Sequence, residues 1–191
     1  MKDALKMYKN MVIGKILHRN SWLFVIYGIM SLSMSLSSSA AVTMYLKFEG
    51  KEIVGESTQE KHQNEIDVRS WSWGMTNPVD VQAGGGSGAG RVNLYDINIT
   101  KYIDRSTPSL MLITSKGEHI PKATLSIVKT SEEGEIPFMT ITLEDVLITS
   151  INLGGNNMED RSTESVTLNF NKVKIEYFIQ NVDGSVGDPV V

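Results

Sequence analysis

The pattern of hydrophobic and polar residues predicts a chain built mainly of β-strands. Between Val42 and Phe48, hydrophobic side chains occupy every second position. Successive side chains of a strand point to opposite faces of a sheet, so this alternation predicts a strand with one buried face. After a polar connection, the same kind of pattern returns between Ile66 and Trp73 and predicts a second strand.

More strands and one helix are predicted further along the chain. The additional strands cover residues 92–99, 123–130, 136–143, 146–151 and 166–179. The hydrophobic phase changes near Tyr95 and near Asn171, and each change predicts a β-bulge. A short helix is expected with Thr107 as its N-cap, Pro108 at its first position and Gly117 as its left-handed end. The expected fold is a mainly β one, an antiparallel β-barrel or two packed sheets with one short flanking α-helix.

The least regular stretch lies between the second and third predicted strands. It includes five glycines within seven residues, and glycine costs about 0.5–1 kcal/mol relative to alanine inside a strand or helix. Loops of this length inside a compact domain are usually functional or disordered. We therefore predict an arm that a partner surface orders. Its residues are Gly74, Met75, Thr76, Asn77, Pro78, Gly84, Gly85, Gly86, Gly88, Gly90 and Arg91.

Two tryptophans, Trp71 and Trp73, lie directly before the arm. Because they are two residues apart in a strand, their side chains are expected on one face. We interpret them as structural aromatic residues that pack in the core or at a subunit contact. Core burial is the more common outcome for such a pair.

The glycine run also raises the possibility of a phosphate-binding loop. In that motif, a lysine and a hydroxyl residue follow the last glycine and a helix begins. Here Arg91 and Val92 follow Gly90, and a strand is predicted instead of a helix. A contact arm is therefore the favoured interpretation.

Charge and composition exclude several classes of function. The chain has 18 basic and 22 acidic residues, and residues 1–41 hold five of the basic and one of the acidic residues. The remaining chain is therefore acidic, which argues against a nucleic-acid partner. The absence of cysteine excludes disulfides and thiolate metal sites.

Residues 1–41 resemble a targeting segment that precedes a domain of residues 42–191. A basic stretch is followed by an apolar run from Trp22 to Leu36 and then by small residues. A signal-like leader and a start codon assigned too far upstream are both open. A membrane anchor is less favoured because a spanning helix needs about 20 apolar residues, so stable membrane insertion of the domain is not expected.

The sequence offers no convincing catalytic or cofactor site. His62 and His119 lie in polar, loop-like stretches without metal-ligand spacing. Glu144 and Asp145 are adjacent, and neighbouring side chains of a strand point to opposite faces. No Ser-His-Asp arrangement or nucleophile elbow is evident. We therefore expect a protein that is not an enzyme and that uses no cofactor and no metal.

Several segments resemble the haemolysin-coregulated protein (Hcp) family, the tube subunits of bacterial type VI secretion systems. The matching segments are EIDVRSWSWGM at 65–75, GGGSGAGRVN at 84–93, ITKYIDRSTPSLM at 99–111, LEDVLITSINLGG at 143–155 and EDRSTESVTLNFNKVKIEY at 159–177. Together with the first strand they cover nearly all of residues 42–181, and their order and spacing make the resemblance specific.

The resemblance implies an assembly function. It implies that six copies form a ring with a central channel, and that rings stack into a tube which a contractile sheath propels with a spike at its tip. It also implies that the subunit is assembled in the bacterial cytoplasm and secreted, that the channel holds small effector proteins, and that the arm reaches an adjacent ring.

Two departures from the family pattern affect these expectations. Family members are normally exported without a cleavable leader, so residues 1–41 favour a misassigned start, while a true leader would suggest the periplasm. Members also usually continue past the final glycine-rich turn into a closing strand. This chain stops at Asp188-Pro189-Val190-Val191, so the closing strand is expected to be missing and barrel closure to be compromised.

An alternative is a secreted β-sandwich binding module, such as an adhesin or a lectin-like domain, without ring assembly. Oligomeric state separates the two hypotheses, since a ring requires closed cyclic symmetry. Phage tail-tube proteins are a related structural alternative.

Overall fold

A computed structural model describes residues 41–78, 91–131, 134–157, 160–181 and 185–191. The leader therefore lies outside the described residues, except for Ala41. The strands are β1 (Ala41–Glu49), β2 (Ile66–Ser72), β3 (Met75–Thr76), β4 (Asn93–Leu94), β5 (Ile97–Tyr102), β6 (Ile120–Ser131), β7 (Gly134–Gly154), β8 (Thr163–Gln180) and β9 (Val186–Val190). One α-helix, α1 (Thr107–Lys116), and a 3-10 turn at Glu60–His62 complete the described elements.

Six antiparallel strands form a closed barrel. They follow the order β5-β2-β1-β6-β7-β8, and β5 also pairs with β8. The closing pair aligns Ile97 with Leu168 and Tyr102 with Thr163. This arrangement confirms the predicted mainly β fold with one short helix. Closure leaves β5 and the first half of β8 paired on both sides, so these segments expose no free backbone edge.

The expectation of a missing closing strand is wrong on both counts. The short strand β9 pairs with the end of β8, where Tyr177 aligns with Val190. The barrel itself is closed by the pairing of β5 with β8, so closure does not depend on the last strand. The sequence of β9 contains Gly187 and Pro189, which are poor strand formers but are tolerated on an edge strand. The free edge of β8 supplies the backbone partners that overcome this weak preference.

The strand β7 runs without interruption where two strands were predicted. The residues that face the core change phase between Leu143 and Val146. Asp145 lies in the left-handed region with φ 55°, which accounts for the change. The opposite strand changes phase at the same level, near Asn171, so the two inward faces still match.

The two predicted bulges are therefore replaced by other irregularities. No register shift occurs at Asn171, since the same alignment holds on both sides of it, and the shift in this strand pair lies between Ile148 and Ser150. Near Tyr95 the chain breaks between β4 and β5 instead of forming a bulge. A phase change in the sequence shows that the hydrophobic side chains move from one set of alternate positions to the other. It does not show whether a bulge or a break between two strands causes the change.

The helix begins one residue earlier than predicted. Ser106 is its N-cap, because Thr107 is buried and uses its hydroxyl to donate to the Glu164 carboxylate at 2.8 Å. The predicted end is confirmed, since Gly117 has φ 63° and its N–H bonds the carbonyl of Thr114.

The hydrophobic core fills the barrel and the space beneath α1. It is built almost entirely from aliphatic side chains at the inward positions of the strands, each contributing about 1.5–3 kcal/mol when fully buried. Its largest fully buried side chains are Leu46, Ile66, Ile97, Ile99, Leu110, Ile120, Leu125, Ile141, Leu143 and Leu168. In the parts of the chain that the structure describes, no helix is long and apolar enough to cross a membrane.

Candidate functional site

The two ends of the predicted arm form a short ribbon that is separate from the barrel. Strands β3 and β4 pair antiparallel, with Met75 opposite Leu94 and Thr76 opposite Asn93. We call these two strands the arm ribbon. The pairing brings the chain leaving β2 and the chain entering β5 side by side.

Three hydrogen bonds of Tyr95 join the two chains at the base of the arm ribbon. Its N–H donates to the carbonyl of Gly74 at 3.1 Å, and its carbonyl accepts from the indole N–H of Trp73 at 2.9 Å. Its hydroxyl and the Thr76 hydroxyl lie 3.1 Å apart. The Trp73 ring contacts Phe170 edge to face, with centroids 6.1 Å apart. The Trp73 ring therefore connects the base of the arm ribbon to β8 of the barrel.

Both tryptophans pack against the hydrophobic core. Trp71 is half-buried in β2 opposite Ile99, and Trp73 is half-buried just beyond the end of that strand. The structural role expected of both residues stays a prediction, and the indole of Trp73 also contacts the base of the arm ribbon.

The arm ribbon exposes large hydrophobic side chains. Met75 is 63% exposed, Tyr95 53% and Leu94 49%, and Val92 is exposed beside them. Exposed apolar side chains that lie near one another often mark a contact with another protein. Sequence reasoning named Met75 but missed Leu94 and Tyr95, although the aromatic residue directly before the phase change was a usable signal.

The remaining predicted arm residues fall into two groups. Thr76, Asn77, Pro78 and Arg91 are exposed, and Gly74 is half-buried. Gly84, Gly85, Gly86, Gly88 and Gly90 lie outside the described residues.

A buried charge network lies beneath the seam between β5 and β8. The ammonium of Lys101 donates to Glu164 Oε1 at 2.5 Å, to Asp104 Oδ1 at 2.8 Å and to the carbonyl of Tyr102 at 2.8 Å. Lys101 and Glu164 are 0% and 1% exposed. The sequence contains a signal for it, since Lys101 shares the inward phase of Ile97 and Ile99.

The histidines outside the leader have conventional partners. His62 stacks on Tyr45 with centroids 4.2 Å apart and bonds the Glu65 carboxylate at 2.8 Å. Burial raises the pKa of Tyr45, and its hydroxyl donates to Glu135 at 3.0 Å. His119 is exposed and lies 2.7 Å from Asp145. Within the described ranges no group of three metal-ligating side chains comes together.

Two arginines lie over one tyrosine ring on the outer face of the barrel. The guanidinium carbons of Arg69 and Arg161 are 4.5 Å and 4.4 Å from the ring centroid of Tyr102. We call these three residues the arginine clasp. Arg161 also lies 3.9 Å from Glu56, and desolvation raises the pKa of Asp67 while the charge of Arg161 opposes that rise. Sequence reasoning missed the clasp, because its members come from three separate segments.

Together these features define a class of protein. A closed antiparallel barrel carries a separate ribbon with exposed apolar side chains, and its two described histidines each lie beside a carboxylate. This combination is typical of a protein that acts through contacts with other proteins.

Comparison with known proteins identifies the family. The family model described as "Type VI secretion system effector, Hcp" matches residues 45–177. Protein hcp1 of Pseudomonas aeruginosa is 47% identical over 151 residues, which cover 78% of this chain and 92% of the relative. The Major exported protein of the same organism is 27% identical over 139 residues, covering 69% of this chain and 80% of the relative. The chain therefore belongs to the Hcp family of type VI secretion system proteins.

Solved structures agree with this membership. A structure described as a type six secretion system protein is 25% identical, covers 79% of this chain and 93% of its own, and superposes with a TM-score of 0.73. Hcp1 from Salmonella typhimurium is 30% identical, with a TM-score of 0.59 over 76% of this chain and 90% of its own.

Proposed function

We propose that this protein is the tube subunit of a type VI secretion system. Six copies form a ring, rings stack into a tube, and the subunit is secreted while it carries or chaperones small effector proteins in the channel. Assembly takes place in the bacterial cytoplasm, and the sheath and spike of the secretion system are the expected partners. The role is structural, without catalysis and without a cofactor.

The observation that carries this proposal is the exposed apolar arm ribbon on a barrel of the Hcp family. Leaving Met75, Leu94 and Tyr95 in water is unfavourable for an isolated subunit, at roughly 25 cal/mol per Å² of apolar surface. A contact with a subunit of the next ring would cover them and would also order the arm. The ribbon therefore supports a role of residues 74–91 in stacking.

Side-to-side contacts within a ring require a second surface. Exposed hydrophobic side chains at the end of β8 and on β9, including Tyr177, Ile179 and Val190, are candidates for it. A specific interface of this kind commonly buries about 800 Å² on each partner. Heterologous contacts that close after six copies would give the ring.

The direct test is the oligomeric state of the purified protein. Light scattering and negative-stain microscopy are applied to the full chain and, in parallel, to residues 42–191. Six-membered rings with an open centre are the expected result, and stacks should appear as the concentration rises. A folded monomer at every concentration would contradict the proposal. No feature of the described residues favours the adhesin or lectin-like alternative.

A further inference from the structure

We propose that the arginine clasp is a binding site for exposed carboxylate groups of a carried protein, most simply a short segment with adjacent acidic residues. The identity of the occupant as cargo rests on the proposed function, whereas the carboxylate chemistry rests on the geometry of Arg69, Tyr102 and Arg161 themselves.

The clasp brings two positive charges to one aromatic ring. The guanidinium carbons of Arg69 and Arg161 both lie within 4.5 Å of the Tyr102 ring centroid. The ring attracts each guanidinium through a cation–π interaction, typically about 0.5–1 kcal/mol at exposed sites. Arg69 forms no ion pair with any described residue, and the single ion pair of Arg161, to Glu56, is long at 3.9 Å. The positive charge of the clasp is therefore only partly neutralised within the chain.

Stacking prepares the guanidinium groups to bind an anion. A guanidinium that lies over an aromatic ring keeps its N–H edges free, and its planar fork matches the two oxygens of a carboxylate. Part of the side-chain entropy that binding would otherwise cost is already lost in the stacked state. Because Tyr102 ends β5, the ring is held by the barrel seam.

The surroundings supply further hydrogen-bond donors. Residues paired across neighbouring strands share a face, and Tyr102 is paired with Thr163, while Thr100 is paired with Ser70 and Ser165. Hydroxyl groups therefore flank the clasp on the outer face of β2, β5 and β8, and the carboxylates of Glu56 and Asp67 lie near Arg161 on the same side. A carboxylate accepts hydrogen bonds from both guanidinium and hydroxyl groups.

This face differs from the surfaces suited to subunit contacts. Among the described residues, none of the large exposed hydrophobic side chains comes from β2, β5 or the first half of β8. Subunit interfaces usually have an apolar or aromatic centre. A polar, exposed contact is weaker and more readily reversed, which suits a carrier that must release its passenger.

The overall charge of the domain favours a short acidic segment over a polyanion. Beyond residue 41, the chain carries thirteen basic and twenty-one acidic residues. This excess repels nucleic acid at long range, while a single carboxylate pair feels mainly the nearby arginines.

The test measures the binding of a dye-labelled peptide with blocked ends, in which two adjacent glutamates are flanked by glycine and serine. A second peptide, identical except that two glutamines replace the glutamates, is the control ligand. Fluorescence anisotropy with the full chain should show binding of the glutamate peptide only. Arg69→Gln and Arg161→Gln should each weaken it about tenfold or more, as expected for loss of a charge-assisted hydrogen bond. Lys47→Gln, which removes an exposed charge on β1, is the matched control and should leave binding unchanged.

Several outcomes would overturn the proposal. Equal binding of both peptides, or equal weakening by Lys47→Gln, would show that the clasp does not recognise carboxylates. If inorganic phosphate or a single-stranded oligonucleotide bound more strongly than the glutamate peptide, the preferred ligand would be a phosphate group and not a carboxylate. Loss of rings in Arg69→Gln would make the clasp a subunit contact.

Light scattering on the same samples shows whether a negative result contradicts the carboxylate site or the proposed tube function. Rings without peptide binding would refute the clasp alone. Peptide binding by a protein that never forms rings would refute the tube and the cargo role while leaving the carboxylate site in place.

Discussion

Lys101 and Glu164 are the charged residues that the described part of the barrel buries most completely. Removing two charges from water is costly, and their attraction offsets this cost only when the geometry is good and other polar atoms are satisfied. The ammonium of Lys101 has acceptors for its protons, whereas Glu164 Oε2 is buried without a hydrogen-bond partner. The pair therefore depends strongly on both members being present.

We predict that Lys101→Met lowers the free energy of unfolding by about 3–5 kcal/mol, since it leaves Glu164 buried without a counter-charge. The double variant Lys101→Met with Glu164→Leu should recover much of that loss. Urea unfolding followed by circular dichroism measures both. Lys47→Met, at an exposed position, should stay within about 0.5 kcal/mol of the parent protein. A double variant no more stable than Lys101→Met would contradict this account.

Tyr45 gives the fold a dependence on alkaline pH. Burial raises the pKa of its phenol, and the neighbouring Glu135 carboxylate raises it further. The contribution of Tyr45 to stability is therefore complete below the ordinary pKa of about 10 and is lost as the pH rises toward its higher folded-state value.

The variant Tyr45→Phe should be less stable than the parent at pH 7, by about 1–3 kcal/mol, because the hydrogen bond to the charged Glu135 is lost. Above pH 10 the difference should shrink, since the parent then has to bury a phenolate or protonate it. Thermal unfolding at pH 7, 9 and 11 tests this. Tyr177→Phe at an exposed tyrosine is the control, and a constant difference for Tyr45→Phe across the series would refute the assignment.

Among the elements, α1 shows how one backbone conformation ends a helix. Gly117 has φ 63°, and a Cβ added there would meet no atom within 4 Å. Its requirement for glycine is therefore conformational and not steric. Gly154 at the end of β7 has the same open surroundings without a positive φ, which makes it a matched comparison.

We predict that Gly117→Ala lowers the free energy of unfolding by about 1 kcal/mol, the cost of a left-handed conformation for a residue with a Cβ. Gly154→Ala should have almost no effect. Chemical denaturation of both variants provides the comparison. Equal costs at the two positions would mean that the left-handed conformation is not the cause.

The arm ribbon is an element whose strands are too short to be stable by themselves. A two-stranded ribbon is marginal in water, and this one has only two residue pairs. Hydrogen bonds of Tyr95 hold its two chains together, and the Trp73 ring connects them to Phe170 of the barrel.

At the scale of the whole molecule, the proposed tube separates two assembly steps. Replacement of Gly84 to Gly90 by a short linker should leave rings intact, because no residue of the barrel changes, but should abolish stacking and secretion. Met75→Ser with Leu94→Ser should weaken stacking in the same direction, through the described arm ribbon alone. Electron microscopy of ring and tube populations distinguishes the two steps.

The control for this experiment is Met111→Ser, which alters an exposed methionine on α1. It should leave both rings and stacks unchanged. Tubes of normal length from the glycine-replacement variant would contradict a stacking role for residues 74–91, and loss of rings would show that the arm also acts within the ring.

The sequence by itself determined the mainly β fold, most strand positions and the helix with its Gly117 end. These are local properties. The alternation of hydrophobic and polar residues shows which side chains share a face of a sheet, and a glycine indicates a backbone conformation that other residues rarely adopt. The family resemblance also followed from the sequence, through the order of its segments.

Only the tertiary structure decided which strands close the barrel, and that β9 pairs despite its glycine and proline. Strand pairing depends on partners distant in sequence, which local preference does not encode. The same holds for Lys101 with Glu164 and for the arginine clasp, whose members meet because β2, β5 and the segment before β8 lie side by side. The charged residues can be read from the sequence, but the ion pair and the ring contacts that they form depend on distances that are set only when the chain folds.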